Sequence, residues 1–269
     1  MKDEKKTIEY LKLSMIPGLG PISQNRLLSL CNGIDHCFLA SEEELMTLDQ
    51  KNMAKKRIGK KRILKFLDYR ESKDIAHQAE KIFRESEYKK IELITVDDKE
   101  YPNRFSDLED RPILLYTKGN LTINKFLSSI GVIGARRCTS EGKIKTIETT
   151  ANHVHKGAAI ISGMAKGVDS YAHTAALKSD GYTIAVLGSG VDICYPGEHR
   201  ALYEMIAQKG CIMSEYPLGT HPATYRFPQR NRLIAALSDT LYVIDAGRHS
   251  GTESTVAACN KYGREVKGL

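Results

Sequence analysis

Five short apolar runs, each followed by a stretch with helical spacing, constrain the fold of this chain more than any other feature. They lie at 130–133, 158–161, 183–187, 211–214 and 241–244. Patterns that predict helices fill the gaps at 140–156, 168–179, 198–209 and 229–237, with a further one at 252–262. Runs without polar alternation predict strands buried on both faces, and a helix between two of them predicts a right-handed crossover. The expectation is an α/β fold: an extended, Rossmann-like, doubly wound and mainly parallel sheet.

Ahead of this region the pattern changes. Residues 1–75 predict a small all-helical domain, 76–125 a connecting segment with accessory strands at 91–96 and 113–116, and 126–269 the Rossmann-like core. Near the start, Ile16-Pro17-Gly18-Leu19-Gly20-Pro21-Ile22-Ser23 is a glycine-bearing turn between helical patterns, with Ser23 predicted to cap the second. Such a turn either offers N–H groups to a phosphate or makes a tight corner in a helical bundle. Residues 51–67 then carry eight cations and no acid, a run that is usually a solvated helix face.

In a parallel sheet the strand ends converge on one edge, where backbone N–H groups and cations can hold phosphates. Three segments of this chain fall at such positions. Gly134 lets the backbone approach closely, and Arg136 beyond it can make a two-pronged phosphate contact. In Ser162-Gly163-Met164-Ala165-Lys166-Gly167-Val168-Asp169, Gly163 and Gly167 permit an anion-holding turn, while Ser162 and Lys166 supply donors. Asp169 suits a helix cap or a cation's partner better than a phosphate ligand. Arg230, Asn231 and Arg232 add donors, and Phe227 offers an aromatic face for a base. A fourth glycine turn, Ser250-Gly251, enters the last helical pattern.

Charge points the same way. The net charge is +7, yet cations and anions balance over residues 1–110, so the whole excess falls in 111–269. A basic domain beside a neutral one suits an anionic partner such as nucleic acid, although charge by itself is explained slightly better by solubility alone. Other chemistries find little support. Gly131-Val132-Ile133-Gly134-Ala135-Arg136 is not a dinucleotide fingerprint, Gly188-Ser189-Gly190-Val191-Asp192-Ile193 lacks its third glycine, and there is no P-loop, so no cofactor is expected. The six cysteines are scattered, which argues against zinc and against a disulfide framework. His173 follows Asp169 by four residues on one helical face, but no nucleophile or metal cluster accompanies them, so a structural or binding role is favoured. No catalytic residue is assigned. The N-terminus has no apolar core of a signal peptide and no run approaches membrane-spanning length, so a cytoplasmic location without membrane contact is expected.

Taken in order, several segments resemble the DprA/Smf family of DNA-processing proteins. They are Gly134 to Arg136, Ser162 to Asp169, Ala185 to Asp192, Tyr195-Pro196, Ser214-Glu215-Tyr216-Pro217, Phe227 to Arg232, Ser250-Gly251 and Gly263-Arg264-Glu265-Val266. The likeness spans about residues 90–266, and the helical N-terminus resembles the family's SAM-like or helix-hairpin-helix region. The resemblance implies a non-enzymatic protein that binds single-stranded DNA, forms a homodimer, and assists loading of the RecA recombinase in natural transformation. It also implies that Arg136 and Lys166 meet phosphate, and that Phe227, Arg230, Asn231 and Arg232 line the path. Three departures stand out: Ala135 replaces the usual Ser, Glu253-Ser254-Thr255 replaces an aliphatic pair before Thr-Ala, and the chain ends at Val266-Lys267-Gly268-Leu269. The last predicts that the final sheet strand and any winged helix are absent. An alternative reading from another class is a nucleotide-binding or nucleoside-monophosphate-hydrolysing enzyme, whose support is the Gly251-Thr252-Glu253 turn.

Overall fold

The computed structural model describes residues 3–51, 57–106, 108–247 and 251–268. The chain forms two compact units: Met1–Lys89 with Leu93–Tyr101 and Asp107–Leu115, and Lys90–Glu92 with Pro102–Ser106 and Tyr116–Leu269.

The first unit holds α1 (Glu4–Met15), α2 (Pro21–Cys31), α3 (Ile34–Leu39), α4 (Glu42–Lys51), α5 (Lys60–Arg70) and α6 (Lys73–Tyr88). Asp3 caps α1 by accepting from Lys6 N at 3.1 Å, and Ser72 caps α6. Its core is built from Tyr10, Leu11, Leu13, Leu27, Ile34, Leu45, Ile63 and Phe66, all fully buried. The glycine turn joins α1 to α2, but Ser23 does not cap α2. Gly20 occupies that position and Pro21 opens the helix, where its missing N–H has no partner to lose. Of the eight-cation run, Lys55 and Lys56 lie outside the described residues, and Lys60, Lys61, Arg62 and Lys65 lie on α5.

Two strands, β1 (Glu92–Thr95) and β2 (Leu114–Gly119), lie where the chain passes between the units. The second unit then continues through β3 (Ser129–Gly134), α7 (Ser140–His155), β4 (Ala159–Ser162), α8 (Val168–Lys178), β5 (Thr183–Val186), α9 (Arg200–Lys209) and β6 (Cys211–Ser214). It closes with α10 (Arg226–Leu237), β7 (Thr240–Ile244), α11 (Glu253–Lys261) and β8 (Glu265–Lys267). Its strand order is β2-β6-β5-β4-β3-β7-β8. All neighbouring pairs are parallel except β2 with β6. This is the α/β Rossmann-like sheet that the apolar runs predict.

Register follows burial. Ile130 pairs with Ile160 on one side and Thr240 on the other, and β3 to β6 are almost wholly buried. Val168, Ala172 and Ala176 form one stripe of α8 at a spacing of four and pack on Ile130, Val132 and Ile160. The start of β3 is held by Asp239, which accepts from Ser129 N at 2.7 Å and pairs with Arg104 at 3.1 Å.

Two expectations are corrected here. The final strand is present: β8 pairs with β7 through Thr240↔Glu265, Leu241↔Val266 and Tyr242↔Lys267. Its three residues are too short and too charged to leave a strand signal in the sequence. Helix α10 also begins at Arg226 rather than Gln229, so Phe227, Pro228 and Arg230 belong to its first turns.

The chain direction along the sheet fixes where a ligand can sit. From β3 it runs outward through β4, β5 and β6, then returns to β7 on the other side of β3. The strand order therefore reverses at β3 and β7, and the crevice beyond their carboxyl ends is the place where open α/β sheets bind ligands.

Candidate functional site

Two loops are fastened together at that crevice. Gly134 ends β3 so close to β7 that a Cβ would collide with the Ile244 carbonyl, and Ala135 N donates to the same oxygen at 3.2 Å. The Ala135 carbonyl in turn accepts from Val168 N at 3.2 Å, which joins the β3 loop to the start of α8. Gly167 makes this join possible: its φ is +74°, and a Cβ there would strike the Ala135 oxygen.

Asp169 and Arg230 organise the second loop from beneath. The Asp169 carboxylate is buried and accepts from Gly163 N at 3.1 Å and Ala165 N at 3.2 Å, so it caps the loop. Burial raises its pKa, and the Arg230 charge with these N–H groups opposes the rise. Arg230 is itself buried. Its Nη1 donates to the Gly163 carbonyl at 2.8 Å and to the Val186 carbonyl, while Nε donates to Asn231 Oδ1 at 3.0 Å. A Cβ on Gly163 would stand 2.7 Å from Nη2, so glycine there leaves room for the guanidinium. Burial lowers the Arg230 pKa to about 10, with Asp169 pulling it back up. Asn231 Nδ2 continues the chain of contacts to Ser254 Oγ at 2.9 Å and the Gly251 carbonyl at 3.3 Å.

Above this scaffold lie the groups open to a ligand. Arg136 is exposed, and among the described residues it has no ion pair. Lys166 is exposed and meets Glu198 at 2.7 Å. Phe227 is half-buried and stacks on Tyr195, with ring centroids 5.8 Å apart and planes inclined by 26°. Tyr195 is 48% exposed, so part of this aromatic pair is open at the mouth.

These groups line two adjoining clefts. One, of about 540 Å³, is bounded by Arg136, Gly163, Lys166, Tyr195, Phe227 and Arg230. The other, of about 1130 Å³, runs past Gly134, Arg136, Phe227, Arg230, Asn231 and Gly251. Eight of the residues expected from the sequence thus meet at one edge of the sheet.

The remaining four fare differently. Ser162 is fully buried and its hydroxyl donates to the Val132 carbonyl at 2.6 Å, so it is a strut between strands and not a ligand donor. Gly167 shapes the loop but lines neither cleft. Arg232 lines neither and is ion-paired with Glu215, both side chains being largely buried. Ser250 lies outside the described residues. Arg230 and Asn231 border the clefts, yet their hydrogen bonds go to the protein's own loops. Tyr195 was missed as a site residue. Its signal was present, since an aromatic next to a proline in a loop after a strand is poorly explained by the core.

His173 is not part of the site. It is buried in α8, with Nδ1 2.8 Å from Thr183 Oγ1. The Thr183 hydroxyl donates to the Ile160 carbonyl, so it can only accept from the imidazole, and Nδ1 carries the proton. Nε2 is then a buried lone pair without a partner among the described residues. Burial, with repulsion from His199 and Arg230, lowers the His173 pKa to about 3. Among the described residues no group of three or more His, Cys, Asp and Glu could hold a metal, and no helix is long and apolar enough to cross a membrane.

Comparison with known proteins adds relatives. Residues 92–269 match the profile of the family described as DNA recombination-mediator protein A. The chain is 33% identical over 263 residues to protein Smf of Synechocystis sp., covering 97% of this chain and 63% of that protein. It is 38% identical over 180 residues to DNA processing protein DprA of Streptococcus pneumoniae, covering 67% and 63%. The X-ray structure of the S. pneumoniae protein matches at a TM-score of 0.77 with 30% identity, over 100% of this chain and 88% of that one. DNA processing protein A from Helicobacter pylori, solved for its single-stranded DNA binding mode, matches at 0.60 with 33% identity, over 65% and 79%. The chain spans less than two thirds of the length of these two curated relatives.

Proposed function

The chain belongs to the DNA recombination-mediator protein A family, and from that premise we propose that it binds single-stranded DNA in the clefts at the β3–β7 crossing, without chemical turnover. The observation that carries this reading is the meeting of an exposed Arg136, without an ion pair among the described residues, and an exposed Lys166 with the Tyr195–Phe227 stack. Cations track a phosphodiester backbone, and an aromatic face takes bases of any sequence. The H. pylori relative's single-stranded DNA binding mode supports it. A non-enzymatic role is supported by the fate of the two acid–base candidates. Asp169 is engaged in capping a loop, and His173 is locked neutral in the core.

The proposal extends, on the family resemblance, to protection of incoming strands in the cytoplasm, to a homodimer, and to help in loading RecA recombinase during transformation. Binding of labelled oligothymidylate and of duplex across a salt series tests its foundation. The expected result is preference for the single strand, with a log–log slope near −0.7 per phosphate neutralised. Affinity indifferent to salt, or tighter binding of duplex, overturns it. Sedimentation of the free protein tests the dimer, and co-sedimentation with RecA tests that contact.

A further inference from the structure

The helical unit contains a cluster of charge that the clefts of the core do not use. Lys60, Lys61, Arg62 and Lys65 of α5 line an open cleft of about 900 Å³ together with Gly18 and Gly59, and among the described residues no acidic side chain lines it. In the same unit Lys6, Arg26, Arg70, Arg84 and Lys89 each hold a carboxylate. None of the four cleft cations does so among the described residues. Arg62 Nη1 donates to the Ile58 carbonyl at 3.2 Å, and Lys65 Nζ lies 5.9 Å from the Tyr69 ring centre. Neither contact neutralises charge.

The end of α5 does not explain the cluster. Buried Asp49 already accepts from Ile58 N at 2.8 Å and Gly59 N at 3.1 Å, so the backbone donors before the helix are taken. The attraction comes from the side chains. The Gly18 turn, with φ of +77°, leaves Lys65 Nζ only 3.1 Å from where a Cβ would stand, which draws that ammonium over the turn between α1 and α2. Four cations with no carboxylate partner among the described residues, gathered over one turn and the first turns of α5, repel each other, and a single phosphate would satisfy only part of them. A chain of phosphates neutralises all four.

We propose that this cleft is a second binding site for a nucleic-acid backbone, held by the helical unit itself and separate from the clefts at the sheet edge. It does not depend on the reading given to Arg136 and Lys166. The test therefore begins from the full chain carrying Arg136→Ala and Lys166→Ala. That variant should retain salt-sensitive binding of labelled oligothymidylate. Adding Lys60→Gln, Lys61→Gln and Lys65→Gln should abolish it, and in the otherwise unaltered chain the same three changes should flatten the log–log salt slope by about 2. The three Lys→Arg changes should leave binding intact. Because these side chains lie at the surface or near it, melting temperatures should hardly move.

A second readout needs no substitution. Bound oligothymidylate should protect Lys60, Lys61 and Lys65 from an amine-acylating reagent, and inorganic phosphate at equal ionic strength should not. Unchanged binding in the triple Gln variant with no protection would overturn the proposal. So would equal protection by inorganic phosphate, or loss of anionic-vesicle binding alone. If Arg136→Ala and Lys166→Ala have no effect while the lysine changes do, the sheet-edge reading fails and this one stands.

Discussion

Arg136 and Lys166 differ in what each must give up to meet a phosphate. Arg136 is open, whereas Lys166 must release Glu198, whose carboxyl that contact holds below its usual range. Arg136→Ala should therefore weaken oligonucleotide binding more than Lys166→Ala, and Glu198→Gln should tighten it about two- to fivefold, the scale of an exposed ion pair. Affinity titrations at fixed salt read both effects. At Phe227 the face is aromatic, so Phe227→Ala should lose about 1–3 kcal/mol of binding without changing the salt slope. Phe227→Tyr should keep most of it. A collapse in melting temperature with near-normal affinity would instead make the ring a packing residue. His173 sets a pH dependence of stability. Its pKa is about 3 folded and near 6.5 unfolded, so the unfolded chain binds the extra proton between those values. Stability is lost as pH falls through that window, by at most about 5 kcal/mol, and His173→Asn should reduce that loss in urea titrations at stepped pH. What a sequence shows of such residues is their chemistry and their place on a strand end, which was enough for Arg136 and Lys166. It could not show that the donors of Arg230, Ser162 and Arg232 are directed at Gly163, Val132 and Glu215, because those acceptors come within reach only once the sheet has closed.

The loops after β3 and β4 behave as one piece because Val168 N reaches across to the Ala135 carbonyl. Gly167→Ala would place a methyl group against that carbonyl and hold a positive φ at the same time. It should lower stability by roughly 2–4 kcal/mol and weaken oligonucleotide binding even though Gly167 lines neither cleft. A thermal melt beside the titration checks both. The parallel strands were legible because a strand buried on both faces must be apolar throughout, and the helices because their stripes repeat, as Val168, Ala172 and Ala176 do. Other details had no local cause to reveal them. That β2 runs antiparallel depends on its pairing with β6, a segment distant in the chain, and β8 is a strand because β7 presents an edge to Glu265, Val266 and Lys267. The α2 cap differs for another reason: Ser23 is a good cap by type, but Gly20-Pro21 already starts the helix three residues earlier.

Across the core unit, one side chain ties the site together. Arg230 on α10 holds the end of β4 through Gly163 and the end of β5 through Val186, and Asn231 extends the tie to the start of α11. Arg230→Met would leave Asp169 buried without its counter-charge, and should cost about 3–5 kcal/mol in denaturant unfolding. Combining it with Asp169→Asn should cost less than the sum of the two, since each removes the reason for the other. A strictly additive result would mean that the two side chains act independently. The same tie has a consequence for the order in which the molecule is made. Arg230 lies 67 residues beyond Gly163 and 44 beyond Val186, and a ribosome delivers the chain from its N-terminus. Arg136 and Lys166 emerge while the brace beneath them has yet to be translated. A nascent chain thus carries the cations before it carries the cleft, and each new copy gains its grip on a strand late in its own synthesis.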